Sequence, residues 1–182
     1  MQNVEKQRYG RAQKASKQRQ LSQFVLPLLE QVSQQQQHQA LIGLNFGRLL
    51  SPSSLQNIAQ SGHTLKQYDP FFAADNQLLS SQYDFVCCYR VFEHFRSPNK
   101  EWRLLSNLVK PEGWLAINTP LLADLAQFSK WHYKNNPTHV SFYQQATFEF
   151  LASISDFELI FASKDLILMQ KASESDIKRS LI

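Results

Sequence analysis

Glycine is scarce in this chain, with five in 182 residues alongside seven prolines. That excludes collagen-like repeats and linker-like chains, and leaves few places where the backbone takes positive φ at no steric cost. Cysteine is scarcer. Cys87 and Cys88 are adjacent, so they make neither a disulfide framework nor a zinc site, which points to a reducing compartment. No run of about 18 apolar residues exists, and the polar N-terminus lacks the apolar stretch of a signal peptide. The expectation is a soluble cytoplasmic protein without a membrane partner. Acidic residues are nearly missing from positions 1–20, where Glu5 alone stands against Lys6, Arg8, Arg11, Lys14, Lys17 and Arg19, a net +5. The remainder holds 13 basic and 14 acidic residues, so the overall +4 describes a short arm more than a domain. Such an arm can meet the phosphates of a nucleic acid, but with Tyr9 its only aromatic it reads more simply as a solvated helix face.

What is present is enough for one core, since 43% of residues are hydrophobic and 12% aromatic. Leu21, Phe24, Val25, Leu28, Leu29 and Val32 fall at helical intervals, with Pro27 predicted to kink that helix or restart it. A glutamine tract at 34–39 reads as a polar connector, dividing a basic arm and amphipathic helix at 1–39 from a domain at 40–172 and a tail at 173–182. In the domain, strands are expected at 40–46, 63–68, 83–89, 114–118, 158–162 and 166–170. Ser51-Pro52 and Ser97-Pro98 open helices, because proline suits the first helical position and serine can cap the free N–H groups, while Gly62 stops the first of them. Further helices are expected at 123–131 and 144–154, and Pro111-Glu112-Gly113 reads as a turn. Strands alternating with helices imply an α/β fold with a mostly parallel sheet, and Ser163-Lys164-Asp165 closes a C-terminal antiparallel β-hairpin.

Ligands of such sheets bind beyond the carboxyl ends of the strands. The candidates are therefore Gly47 and Arg48, Asp69, residues 89–94, and residues 118–120. Asp69 at a strand end can accept hydrogen bonds from two ribose hydroxyls or simply make an Asp-Pro turn, and spacing leaves the two equal. Arg48 with the capped helix start at Ser51 offers charge and N–H groups to a carboxylate.

The segments Leu44-Asn45-Phe46-Gly47, Tyr68-Asp69-Pro70, Tyr83-Asp84-Phe85-Val86, Val91-Phe92-Glu93-His94, Leu108-Val109-Lys110-Pro111-Glu112-Gly113 and Asn118-Thr119-Pro120 follow one another in a telling order. Over about residues 40–170 the chain resembles class I S-adenosylmethionine-dependent methyltransferases, and the stretch from Trp131 to Tyr143 is similar to a bacterial subgroup often preceded by a zinc ribbon. The resemblance implies a Rossmann-like sheet and S-adenosylmethionine as cofactor. It implies Gly47, Arg48, Asp69, Tyr89, Arg90 and Val91 around that cofactor, and a strand ranked fourth ahead of Glu93 and His94. These two become the catalytic candidates, His94 as the base. Trp131, His132, Tyr133, His139 and Tyr143 would line the site of an unidentified methyl acceptor. In some O-methylating relatives neighbouring acidic and histidine residues bind a metal, but His132 and His139 alone complete no metal site.

Asn45 stands where relatives usually carry an acid, and Leu49 and Ser51 where they carry glycines. These replacements support the alternative of a catalytically inactive methyltransferase-like interaction or regulatory module. Nucleic-acid binding through residues 6–19 is the minor third reading, and homodimerisation stays open.

Overall fold

The computed structural model describes residues 15–35 and 39–176. The basic residues of positions 1–14, residues 36–38 of the glutamine tract and the end of the tail lie outside the described residues, as does the Leu21 side chain. The element order is α1 (Ala15–Gln35), β1 (Ile42–Phe46), α2 (Pro52–Gln60), β2 (Thr64–Tyr68), β3 (Tyr83–Tyr89), α3 (Pro98–Leu108), β4 (Val109–Asn118), α4 (Gln145–Ser153), β5 (Phe157–Ser163) and β6 (Leu166–Lys171). The six strands form one sheet in the order β2-β1-β3-β4-β6-β5, parallel from β2 to β4 and antiparallel through β6 and β5.

Period-two alternation divides the core between the two faces of this sheet. Along β3, Phe85, Cys87 and Tyr89 join Val25, Leu28, Leu29 and Val32 of α1, whereas Val86 and Cys88 join Trp102, Leu105 and Leu108 of α3 and Phe148 of α4. Pro27 does not interrupt α1, which continues through it for 21 residues. Both cysteines are fully buried, and burial raises their thiol pKa values, so they are inert packing groups.

The local signals around α2 act as expected. Ser51 accepts a hydrogen bond from the Ser54 N–H at 3.2 Å, Pro52 takes the first turn, and Gly62 leaves the helix end at φ 85°. Three expectations are corrected. Tyr83–Tyr89 is the third strand of the chain, because 69–82 holds only an isolated bridge, Asp69 to Ala73, and a 3-10 turn at Asn76–Ser80. The turn at Pro111-Glu112-Gly113 is absorbed into a longer β4, where Glu112 at φ 62° and a register shift opposite Tyr83 and Phe85 take up the bend. The helix expected at 123–131 is a 3-10 turn, Leu125–Lys130, opened by the Asp124 carboxylate accepting from the Ala126 N–H.

Candidate active site

The order of parallel strands reverses between β1 and β3, and the carboxyl ends there frame two cavities. The first, about 330 Å³, is lined by Phe46, Gly47, Tyr68, Pro70, Phe71, Val91, His94, Phe95, Arg96, Glu101 and Thr138. Apart from four polar side chains its wall is aromatic or aliphatic. The second, about 250 Å³, is polar and lies between Arg48, Tyr89, Arg90 and Glu93 on one side and Tyr133, Asn136 and His139 on the other. The leucines of the loop after β1 fill neither: Leu50 is buried in the α1 side of the core, and half-buried Leu49 lines neither cavity.

That loop holds its shape through side-chain hydrogen bonds. Asn45 donates to the Arg48 carbonyl at 2.6 Å, and Gln67 on β2 accepts from the Leu50 N–H at 2.6 Å. Gly47 remains indispensable, because its φ is 109° and a Cβ there would lie 2.2 Å from Val91 Cγ2. Asp69 faces inward. Its Oδ1 accepts from the Phe71 and Phe72 N–H groups at 2.7 and 3.0 Å, so the carboxylate builds the Asp-Pro turn while its neighbours Tyr68 and Pro70 line the apolar cavity.

Beyond β3 the backbone is strained. Arg90 adopts φ 53°, which costs a side-chain-bearing residue roughly 1–2 kcal/mol. Its N–H is tied to the Asn118 carbonyl at 2.8 Å, and its guanidinium reaches Asp165 at 3.1 Å and the Tyr133 hydroxyl at 3.4 Å. Glu93 is 1% exposed yet satisfied, with Oε2 accepting from the Thr119 hydroxyl at 3.0 Å and Oε1 from Tyr133. Burial first, and the Glu93 carboxylate second, push the Tyr133 phenol well above its usual range, so it stays a proton donor. His94 donates Nδ1–H to the Thr138 carbonyl at 2.9 Å, and His139 donates Nδ1–H to the Tyr133 carbonyl at 2.8 Å. The Nε2 atom is thus the basic nitrogen of each ring. Burial lowers both pKa values, with Glu93 opposing, which favours neutral imidazoles.

Glu93, His94 and His139 bring potential ligand atoms within 4.8 Å of one another. The fold therefore sets His139 beside the strand-end pair rather than beside His132, which is exposed and lines neither cavity. Neutral imidazoles anchored through Nδ1 and a hydrogen-bonded carboxylate are groups that could hold a divalent cation.

The aromatic segment 131–143 lies over the site as a lid with its own core. Trp131 packs on Phe142 and Tyr133 at ring separations of 5.8 and 5.3 Å, and buried Tyr143 donates its hydroxyl to the Phe92 carbonyl at 2.9 Å. Trp131 and Tyr143 anchor the lid, whereas Tyr133 and His139 reach the polar cleft.

A methyltransferase-domain family profile matches residues 19–161, which is more than half of the chain. The chain belongs to this methyltransferase family. The match begins inside α1. An O-methyltransferase family protein from Burkholderia thailandensis superposes at a TM-score of 0.53 with 12% identity, covering 91% of this chain and 62% of that one. The chain thus spans about three fifths of that relative's length. The 1,6-didemethyltoxoflavin N1-methyltransferase of the same organism, solved with S-adenosylhomocysteine, superposes at 0.54 with 10% identity, over 81% of this chain and 77% of that one. A magnesium protoporphyrin IX methyltransferase from Synechocystis, also solved with S-adenosylhomocysteine, gives 0.51 with 13% identity over 83% of each chain. These likenesses establish the methyltransferase fold. No curated protein matches the sequence. Among the described residues, no helix is long and apolar enough to cross a membrane.

Several residues of this site escape a strand-end search. Phe95, Arg96, Glu101 and Thr138 line the apolar cavity, and Asn136 lines the polar one. Ser97-Pro98 could have pointed to Glu101, since the helix it opens starts beside the strand end and carries Glu101 in its first turn.

Proposed function

We propose that this chain transfers a methyl group from S-adenosylmethionine to a small polar acceptor. The observation that carries the reading is the apolar cavity at the strand-order reversal with a polar, histidine-edged cleft beside it. The apolar cavity suits an adenosine moiety, with Pro70 and Val91 bordering the base and Gly47 letting the backbone come close. The polar cleft suits the acceptor, where Arg48, Arg90 and Asn136 offer hydrogen-bond donors.

When bound, the sulfonium supplies an electrophilic methyl group. The protein's own contribution is placement and proton removal. His94 lines the first cavity and His139 the second, and their rings stand 5.0 Å apart. An imidazole where the two cavities meet takes the acceptor's proton, His94 standing on the nucleoside side and His139 on the acceptor side, and the neutral state that burial favours keeps both rings basic near neutral pH. Glu93 positions rather than reacts, holding Tyr133 and Thr119 while its charge, opposed to burial, supports the imidazolium that forms. The lid excludes water. Two buried free thiols favour a reducing, cytoplasmic setting.

The test is a thermal shift with S-adenosylhomocysteine. At a hundred times the dissociation constant, binding adds about 2.7 kcal/mol, or roughly 5–11 °C at this length. No shift at millimolar ligand, with the protein folded, would reject the enzymatic reading in favour of an interaction module.

A further inference from the structure

In the polar cleft acceptors are engaged while donors remain open. Glu93, 1% exposed, takes the Thr119 hydroxyl at 3.0 Å on Oε2 and the Tyr133 hydroxyl on Oε1. Asn136 Oδ1 accepts from the Thr138 N–H at 3.2 Å and from the Thr138 hydroxyl at 2.9 Å, which turns the amide nitrogen toward His139. That nitrogen donates to His139 Nε2 at 2.9 Å, while His139 Nδ1–H is committed to the Tyr133 carbonyl at 2.8 Å. The carboxylate, the imidazole and the amide oxygen of the cleft are thus all engaged. The donors are not. A guanidinium carries five N–H groups, of which Arg90 gives one to Tyr133 at 3.4 Å and one to Asp165 at 3.1 Å, and Asn136 has a second N–H on its amide nitrogen. Arg48 adds a further positive charge to the lining, so two cations face one buried carboxylate across a cavity of about 250 Å³.

We propose that the methyl acceptor is a small oxyanion, a molecule carrying a carboxylate or phosphate group, and that Arg90 is the residue that selects it. This rests on the assignment of the polar cleft to the acceptor. A ligand offering only N–H groups meets engaged acceptors on all three of those side chains, whereas a carboxylate or phosphate brings lone pairs to the open guanidinium donors in the geometry that a guanidinium fork matches. Charge points the same way. The cofactor's sulfonium adds a positive charge beside the two arginines, and a cleft under a lid, where charges are poorly screened, favours a ligand that offsets it. Arg90 is held to one aim: its N–H is tied to the Asn118 carbonyl at 2.8 Å, its backbone stays at φ 53°, and its guanidinium is anchored by Tyr133 of the lid and by Asp165, which stands outside the cleft lining. The oxyanion is the handle, and the group that gains the methyl is a second nucleophile on the same molecule, on the side of the imidazoles.

The probes are acetate and methyl phosphate, the smallest forms of the two oxyanions, and acetamide, the neutral isostere of acetate, so that none presumes the rest of the acceptor. Each is titrated at constant ionic strength into the full chain saturated with S-adenosylhomocysteine, and binding is read by nuclear magnetic resonance of the Arg90 guanidinium N–H groups. The wild type should bind acetate or methyl phosphate at least about fivefold more tightly than acetamide, since hydrogen bonds to a charged acceptor exceed neutral ones, and the tighter of the two names the oxyanion. Arg90→Met, followed through the melting temperature, should lose that preference. Should this variant fail to fold, the wild-type signals decide alone, moving with the oxyanion and staying still with acetamide. Equal affinities for anion and amide, Arg90 signals that do not move, or a preference that survives in Arg90→Met would overturn the proposal and leave the methyltransferase reading standing. Oxyanions that bind the free chain and are expelled by S-adenosylhomocysteine would overturn it too, because the cleft would then hold the cofactor's own carboxylate. Failure of S-adenosylhomocysteine itself to bind would overturn both.

Discussion

Tyr133 donates its hydroxyl to the buried carboxylate of Glu93, fastening the lid to the strand end that carries the site. Because the Arg90 guanidinium reaches the same hydroxyl and also pairs with Asp165, four residues from three segments share one network. The network therefore ties the position of the lid to the setting of Glu93.

Tyr133→Phe should expose this coupling. The change removes one donor from a buried carboxylate oxygen at little cost in packing, so it should destabilise the chain by about 1–3 kcal/mol. Thermal melting checks it, and proteolysis within residues 131–143 should quicken in parallel. Unchanged melting would show that the hydroxyl does not hold the lid.

Gly47 should tolerate no side chain. The positive φ and the contact with Val91 each penalise Gly47→Ala, and together they should cost at least about 2 kcal/mol. Adding Val91→Ala should recover the steric part and leave the φ part. Urea denaturation of the two single variants and the double variant measures that division, and full additivity would contradict the contact.

Asp69→Asn separates two roles that spacing left equal. An amide oxygen can still accept from the Phe71 and Phe72 N–H groups, so stability should change by less than about 1 kcal/mol. Affinity for S-adenosylhomocysteine, read by calorimetry, should stay within about twofold, since the carboxylate is 1% exposed and committed to its turn. A large loss of affinity with intact melting would restore the ribose role.

Stability should depend on acid through His94 and His139. Their folded pKa values lie below the unfolded value of 6.5, so the unfolded chain binds protons first as pH falls. The contribution is fully present above about pH 6.5 and is lost as pH falls toward the folded values. Melting temperature recorded from pH 8 to 5 should drop on the acid side, and the double variant His94→Gln with His139→Gln should drop less steeply. Equal slopes would place the acid sensitivity elsewhere.

The fold was legible where local chemistry and long-range packing agree. Ser51-Pro52 and Gly62 bracket α2 because caps and φ preferences act within a few residues, and β3 stood out because Phe85 through Tyr89 are buried on both faces. Legibility failed where tertiary contacts decide. The apolar pattern of 123–131 is as periodic as a helix, but Phe128 is drawn onto Trp131 and Phe142 of the lid, and the segment stays a 3-10 turn. In the site, strand-end logic found Gly47, Glu93 and His94, because topology alone brings strand ends together. It did not find Glu101, whose relation to the cavity depends on how α3 lies across the sheet, nor that Glu93 accepts hydrogen bonds from the hydroxyls of Thr119 and Tyr133.

The most direct test is a crystal structure of the chain with S-adenosylhomocysteine. The purine should lie among Phe46, Tyr68, Pro70, Phe71, Val91 and Phe95, with the homocysteine sulfur near His94 and His139. A nucleoside bound elsewhere, or crystals that remain empty at millimolar ligand, would contradict the assignment of these two cavities to methyl transfer.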